Sequence, residues 1–279
     1  MKNIIVPTDY SDNAANAMHY AAALARAARA RLILYHAFPY PVITDVPVEV
    51  VEQFVDSTVE DHLHRLGELK AELGQQYGIE IACVTEPGAI ALGVQDLAAR
   101  ENADLAVMGL RGDNPALNVL MGSTTAEIMR RGKVPVLIVP LTARFKTPER
   151  ILFACDTPQI DNAAVLRPLK DLATLSGAEI EVIRIDPDLD ITADSFKPHP
   201  SNLEEHLGKF KHTYTFEVGE DVRESILEAI GKTGADILTM IPHRHSLWSY
   251  LFDKSNTLGI ALHTTVPVLA LAEKVGDGK

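Results

Sequence analysis

The feature that most restricts the fold of this chain is an internal repeat. Residues 4–9 (IIVPTD) recur as 151–156 (ILFACD), an offset of 156 − 9 = 147. Residues 30–37 (ARLILYHA) recur as 178–185 (AEIEVIRI), an offset of 178 − 30 = 148. Residues 103–108 (ADLAVM) and 134–139 (VPVLIV) recur as 235–240 (ADILTM) and 266–271 (VPVLAL), both at 132. Four ordered matches of this kind mean that one supersecondary unit is present twice. The matched runs are short and apolar, as strands buried in a parallel sheet are.

The fall in offset from 148 to 132 places a difference of about one helix after the second strand. There the first repeat has residues 49–77, and Val51, Val55, Val59, Leu63, Leu66, Leu69 and Leu73 predict one apolar helix face. The second repeat has only a Pro- and His-containing stretch, 187–210, with a short helix around Leu203 to Leu207.

Each repeat therefore reads β-α-β-(α)-β-α-β-α-β. In the first, Ser11 caps a helix over about 12–29. Strands follow at 31–37, 79–85, 104–108 and 134–139, with helices near 89–101 and 123–131. Ile90, Val94, Leu97 and Ala98 face inward from the first of those two helices. Alternating strands and helices give an α/β fold, here two tandem open five-stranded parallel sheets with helices on both faces. The expected domains are 1–142 and 149–274, joined by a polar, Pro-marked linker near 141–149 (LTARFKTPE).

The chain has 279 residues, 47% of them hydrophobic, which is enough for two cores. Its formal net charge of −12 argues against a nucleic-acid backbone as partner, because phosphate affinity rests on Lys and Arg. No apolar run reaches membrane-spanning length and no signal stretch precedes the first strand, so the expectation is a cytoplasmic protein without a membrane partner. Cys83 and Cys155 form no CxxC pair and read as buried small apolar residues.

Ligands of open parallel sheets sit at the carboxyl ends of the strands. Two segments of the first repeat reach that edge. One is Pro7-Thr8-Asp9, at the end of strand one. The other is the long loop after strand four, from Met108 to Thr125, with the skeleton Gly109-x2-Gly112-x9-Gly122-Ser123-Thr124. Glycines let a backbone approach a ligand closely. Gly122-Ser123-Thr124 opens the next helix, whose free N–H groups and dipole favour a phosphate. The hydroxyls of Ser123, Thr124 and Thr125 add donors. Such a site holds an anion with few basic residues, as an acidic protein requires. The loop is neither a Walker A loop nor a dinucleotide fingerprint. The competing reading of this loop is turn glycines with Ser123 as an ordinary N-cap.

The Gly109-x2-Gly112-x9-Gly122-Ser123 loop, the Pro7-Thr8-Asp9 strand end and the closing Val134-Pro135-Val136 strand resemble the ATP-binding class of the universal stress protein family. The likeness extends over both repeats. It implies a Rossmann-like, adenine nucleotide alpha hydrolase-like sheet in each, packed about a pseudo-twofold axis through strand five (Val134–Val139 and Val266–Leu271). It implies ATP, with or without Mg2+, as a regulatory ligand of a stress-response protein. Asp9 and Ala37 would lie by the adenosine, and Met108, Gly109 and Gly112 along the ribose and phosphate path. Gly122, Ser123 and Thr124 would hold the phosphates, with Arg111 beside them or in solvent. Ala37 departs from the Val often found there in the family. A slow ATPase or self-phosphorylating protein, and a ligand-free scaffold, are the alternatives. A homodimer and a protein partner of unknown identity are further expectations.

The second repeat lacks the pattern. At offset 132, Gly109, Gly112 and Gly122 become Ile241, Arg244 and Lys254, while Asp156 keeps the place of Asp9. The expectation is that this half does not bind ATP in the same way. Its loop, 242–255, carries His243, His245, Trp248 and Phe252, read as a partner surface, a filler of its own cleft or, with His263, a metal site. Glu60, Asp61, His62 and His64 read as the solvated face of the long helix.

Overall fold

The computed structural model describes residues 1–41, 47–110, 123–155, 160–186, 202–241 and 264–272. In the first half, β1 is Asn3–Pro7, α1 Asp12–Ala28, β2 Arg31–Phe38, α2 Val48–Tyr77 and β3 Ile81–Pro87. These are followed by α3 Ile90–Arg100, β4 Leu105–Gly109, α4 Ser123–Arg131 and β5 Val136–Val139. In the second half, β6 is Arg150–Ala154, a 3-10 turn spans Ala163–Leu166, α5 is Arg167–Ser176 and β7 Glu179–Asp186. Then come α6 Leu203–Leu207, β8 His212–Val218, α7 Val222–Thr233, β9 Ile237–Met240 and β10 Val268–Ala270. The short helix at Leu203 is where the sequence puts it.

The strands form one ten-stranded sheet in the order β3-β2-β1-β4-β5-β10-β9-β6-β7-β8. Pairing is parallel within each half and antiparallel only at the β5–β10 junction. The register there is Val136↔Ala270, Leu137↔Leu269 and Ile138↔Val268. Since 137 + 132 = 269, Leu137 pairs with its own repeat counterpart. The pseudo-twofold axis passes through that pair, so the junction is a self-complementary contact of the kind found in twofold dimers. The two expected sheets thus join edge to edge through their fifth strands.

Period-two alternation sends side chains to two cores. Ile4, Val6, Leu32 and Leu34 pack under α1 and α2 on one side, together with Leu203 and Leu207 of α6 in the second half. Ile5, Ile33 and Tyr35 pack with Val94 and Leu97 of α3 and Ile128 of α4 on the other. Ser11 caps α1, its Oγ accepting the Ala14 N–H at 3.3 Å. The linker is pinned to α1. The Asn16 amide donates to the carbonyls of Pro140 (3.0 Å) and Ala143 (3.3 Å), and Arg144 donates to Asn16 Oδ1. Phe145 stands edge-on against Tyr20 at 5.3 Å.

One anchor is built twice. Asp104 Oδ2 accepts the backbone N–H groups of Lys2 and Asn3, fastening the start of β1 to the approach to β4. Asp236 Oδ2 does the same for Glu149 (2.7 Å) and Arg150 (3.1 Å). The offsets are 236 − 104 = 132 and 150 − 3 = 147, as in the strand matches. Asp104 also meets Arg167 of α5 at 2.9 Å, tying the first half to the second.

The long helix needs a correction. Of its expected apolar face only Leu66 and Leu73 are buried, and Leu63 is 40% exposed. A helix of 30 residues is about 45 Å long, whereas β3, with seven, extends about 23 Å. Roughly half of α2 therefore overhangs the sheet. The buried stripe also follows 59-62-66-69-73, so His62 and not Leu63 takes the inward slot, packing on rings described below.

Candidate functional site

The carboxyl ends of β1, β2 and β4 open onto a cavity of about 360 Å³. Pro7, Thr8 and Asp9 form one wall, Ala37 a second, and Met108 and Gly109 a third. Thr124 and Thr125, in the first turn of α4, close it. Residues separated by more than a hundred positions are thereby brought to one hollow. Arg111, Gly112 and Gly122 lie outside the described residues. Ser123 is the first residue of α4.

Local bonding fixes the β1 wall. Thr8 is 1% exposed, and its N–H donates to the Tyr35 carbonyl at 2.8 Å. Its Oγ1 accepts from the Tyr10 N–H at 3.0 Å. Asp9 Oδ1 accepts from both the N–H (3.0 Å) and the Oγ–H (2.6 Å) of Ser11. The Asp9 carboxylate is thereby oriented at the cavity rim by the residue that caps α1.

Gly109 is needed for close approach. A Cβ there would lie 2.4 Å from the Asn13 carbonyl oxygen, so α1 and the end of β4 meet backbone to backbone beside the cavity. Ser11, Asn13, His36, Pro39, Gly88 and Ile90 also line the hollow, and the sequence reading assigns none of them to the site. Ser11 and Asn13 follow a strand-end Asp, which is the one signal that could have found them. Gly88 has φ +135°, a region reserved for glycine. Its N–H donates to the Phe38 carbonyl at 2.8 Å, closing the cavity side of β2 and β3.

Residues 1–140 match the universal stress protein family. The chain belongs to that family. A universal stress protein of Thermus aquaticus, encoded in a sulfhydrylase 3′ region, is 32% identical over 140 residues, which is 50% of this chain and 98% of that protein. The crystal structure of a universal stress protein from Archaeoglobus fulgidus superposes with a TM-score of 0.73 at 22% identity, covering 97% of this chain and 98% of the other. A protein of Pseudomonas aeruginosa described as functionally unknown gives 0.61 at 17% identity, covering 97% and 92%. At these identities the two structures show the fold alone, and they show it over both halves. Among the described residues no helix is long and apolar enough to cross a membrane.

The second half of this universal stress protein arranges the equivalent edge differently. Ile241 is the repeat counterpart of Gly109, and Ile160, 147 positions after Asn13, precedes the first helical turn of its half where Asn13 lies within α1. Both are buried, 6% and 4% exposed, in the same core. Its first helical turn begins at Ala163, eight residues beyond the end of β6 (163 − 154 − 1), against four beyond β1 (12 − 7 − 1). Asp156, the loop 242–255 and His263 lie outside the described residues. Among the described residues, no group of three or more His, Cys, Asp or Glu is placed to hold a metal.

Proposed function

We propose that the first repeat binds an adenine nucleotide, ATP with or without Mg2+, as a regulatory ligand of a stress-response protein. The observation that carries this reading is the meeting of Pro7-Thr8-Asp9, Ala37, Met108-Gly109 and Thr124-Thr125 around one hollow. Its size, about 360 Å³, is within the range of small-molecule sites, about 300–1,000 Å³. Ala37, Pro39, Ile90 and Met108 offer apolar wall for a base and sugar. The amino end of α4 offers first-turn N–H groups that have no acceptor within the helix, and the positive end of a helix dipole, for phosphate. The hydroxyls of Thr124 and Thr125 are donors at the same place.

The replacement of Gly109, Gly112 and Gly122 by Ile241, Arg244 and Lys254 in the second repeat supports one site per chain. A ligand that binds one conformation better than another shifts the population towards it, which is how ATP would regulate without being consumed. The test is calorimetric titration of ATP into nucleotide-free protein beside a Gly122→Val variant. One site per chain, lost in the variant, is the expected result. Absence of saturable binding to the wild type overturns the reading. Measuring ADP release on the same sample separates a regulatory ligand from a slowly hydrolysed one.

A further inference from the structure

We infer that Tyr10, His36 and His62 are positioning residues that tie the first wall of the cavity to α2 and make nucleotide affinity depend on the charge carried by His62. The inference rests on the nucleotide reading and adds its regulation. Thr8, Asp9 and Ser11 line the cavity. Tyr10, between them, has φ 65°, a left-handed conformation unusual for a bulky residue. Such a conformation persists only where its surroundings over-determine it.

Those surroundings are a cluster of rings reached from three elements. The Tyr10 hydroxyl is 3.2 Å from His62 Nδ1 on α2, and the two rings stack at 5.9 Å and 10°. The Arg65 guanidinium lies 3.7 Å over the Tyr10 ring, a cation–π contact. From β2, the His36 ring stands 4.6 Å from Tyr10 and 4.2 Å from His62, and Phe38 stacks on His62 at 5.4 Å. His36 Nδ1 is 2.8 Å from the Thr8 carbonyl. A carbonyl only accepts, so that nitrogen carries a hydrogen, and His36 fastens the cavity wall directly.

The groups around His62 are Arg65 and Asp61 on α2 itself, His36 from β2 and the Tyr10 hydroxyl from the β1 loop; the Cys83 thiol of β3 acts on Tyr10. Thr85, beside His36 in the register, adds a buried hydroxyl with no hydrogen bond among the described residues. Burial, then His36, then Arg65 hold the His62 imidazole below its ordinary range, with Asp61 opposing. The neutral ring packs; a proton sets a second cation beside Arg65 at the stack that holds Tyr10. The state with Thr8, Asp9 and Ser11 in place then loses population, and apparent affinity falls with it.

The sign follows from the lowered value. The neutral form is complete above the ordinary histidine value, near pH 6.5, and is lost as pH falls through the lowered one. The experiment is ATP titration of the full chain at about pH 8 and about pH 5.5, on either side of histidine titration, for wild type and His62→Gln. Thermal melting at both values checks folding, and His62→Asn replaces the first variant if it melts below the assay temperature. Protonation of ATP itself is common to both proteins and cancels in their ratio.

The expected result is that wild-type affinity falls several-fold further than that of the variant between the two values. Parallel profiles, or a wild type that gains affinity in acid relative to the variant, overturn the inference while leaving the nucleotide reading intact. Failure of the wild type to bind at about pH 8, where histidine is neutral, removes the nucleotide reading itself.

Discussion

Replacing Gly109 by Ala asks whether the close approach at the cavity is real. The added Cβ would sit 2.4 Å from the Asn13 carbonyl oxygen and 2.7 Å from its carbonyl carbon. Non-bonded carbon and oxygen rest at about 3.5 Å, so the end of β4 and the start of α1 must separate by about 1 Å. Neither can yield by a rotamer change, because the obstacle is backbone. Overpacking of this kind costs about 1–3 kcal/mol. For a chain of 279 residues that lowers Tm by about 2–5 °C. The same displacement widens the cavity between Met108 and Asn13, so ATP affinity falls along with stability. Gly74→Ala is the matched control. It lies inside α2 with nothing within 4 Å of the new atom. It therefore gains about 0.5–1 kcal/mol of helix propensity. Melting and ATP titration of the two variants test the argument together. A Gly109→Ala protein that melts with the wild type and binds ATP equally refutes it.

Two further outcomes follow from the fold. Leu137→Ala removes a fully buried side chain from the pair on the pseudo-twofold axis, so it should cost about 2–5 kcal/mol, read by chemical denaturation, and Leu269→Ala should cost a similar amount. Asp236→Ala strands the N–H groups of Glu149 and Arg150 and should cost about 1–3 kcal/mol near neutral pH. Burial pushes the Asp236 carboxyl up, but hydrogen bonds from Lys146 and those two N–H groups outweigh it and hold the carboxyl below its ordinary value. The stability it contributes is present above the unfolded-state range, about pH 4, and is lost as pH falls through the lowered folded value, so the gap between wild type and variant should close in acid.

Much of this architecture is written in the repeat. The strand matches identify β5 and β10 as counterparts, the family likeness pairs them, and the change of offset locates the helix that the second half replaces with five residues, Leu203–Leu207. The cavity residues Pro7, Thr8, Asp9, Met108 and Gly109 were legible because strand ends and glycine spacing are local signals. What was not legible depends on which way a helix turns. Assigning Leu63 to the inner face left His62 with the solvated residues; His64 belongs there, 80% exposed beside Glu68, but His62 packs on Tyr10, His36 and Phe38. The spacing Val59-His62-Leu66-Leu69-Leu73 carried that information, but an apolar count passes over a histidine. The left-handed Tyr10 has no sequence signal, since its conformation is imposed by rings brought from β2 and α2.

The junction at Leu137 and Leu269 has a consequence for how the two halves live together. Because both belong to one chain, their association is intramolecular and does not weaken on dilution, unlike that of two separate subunits. A twofold dimer of identical chains receives every substitution twice. Here a change in one half leaves the other untouched, so Ile241 can stand in the second half where the first has Gly109. Covalent linkage thus turns a symmetric pair into a particle whose two halves differ in sequence at equivalent places.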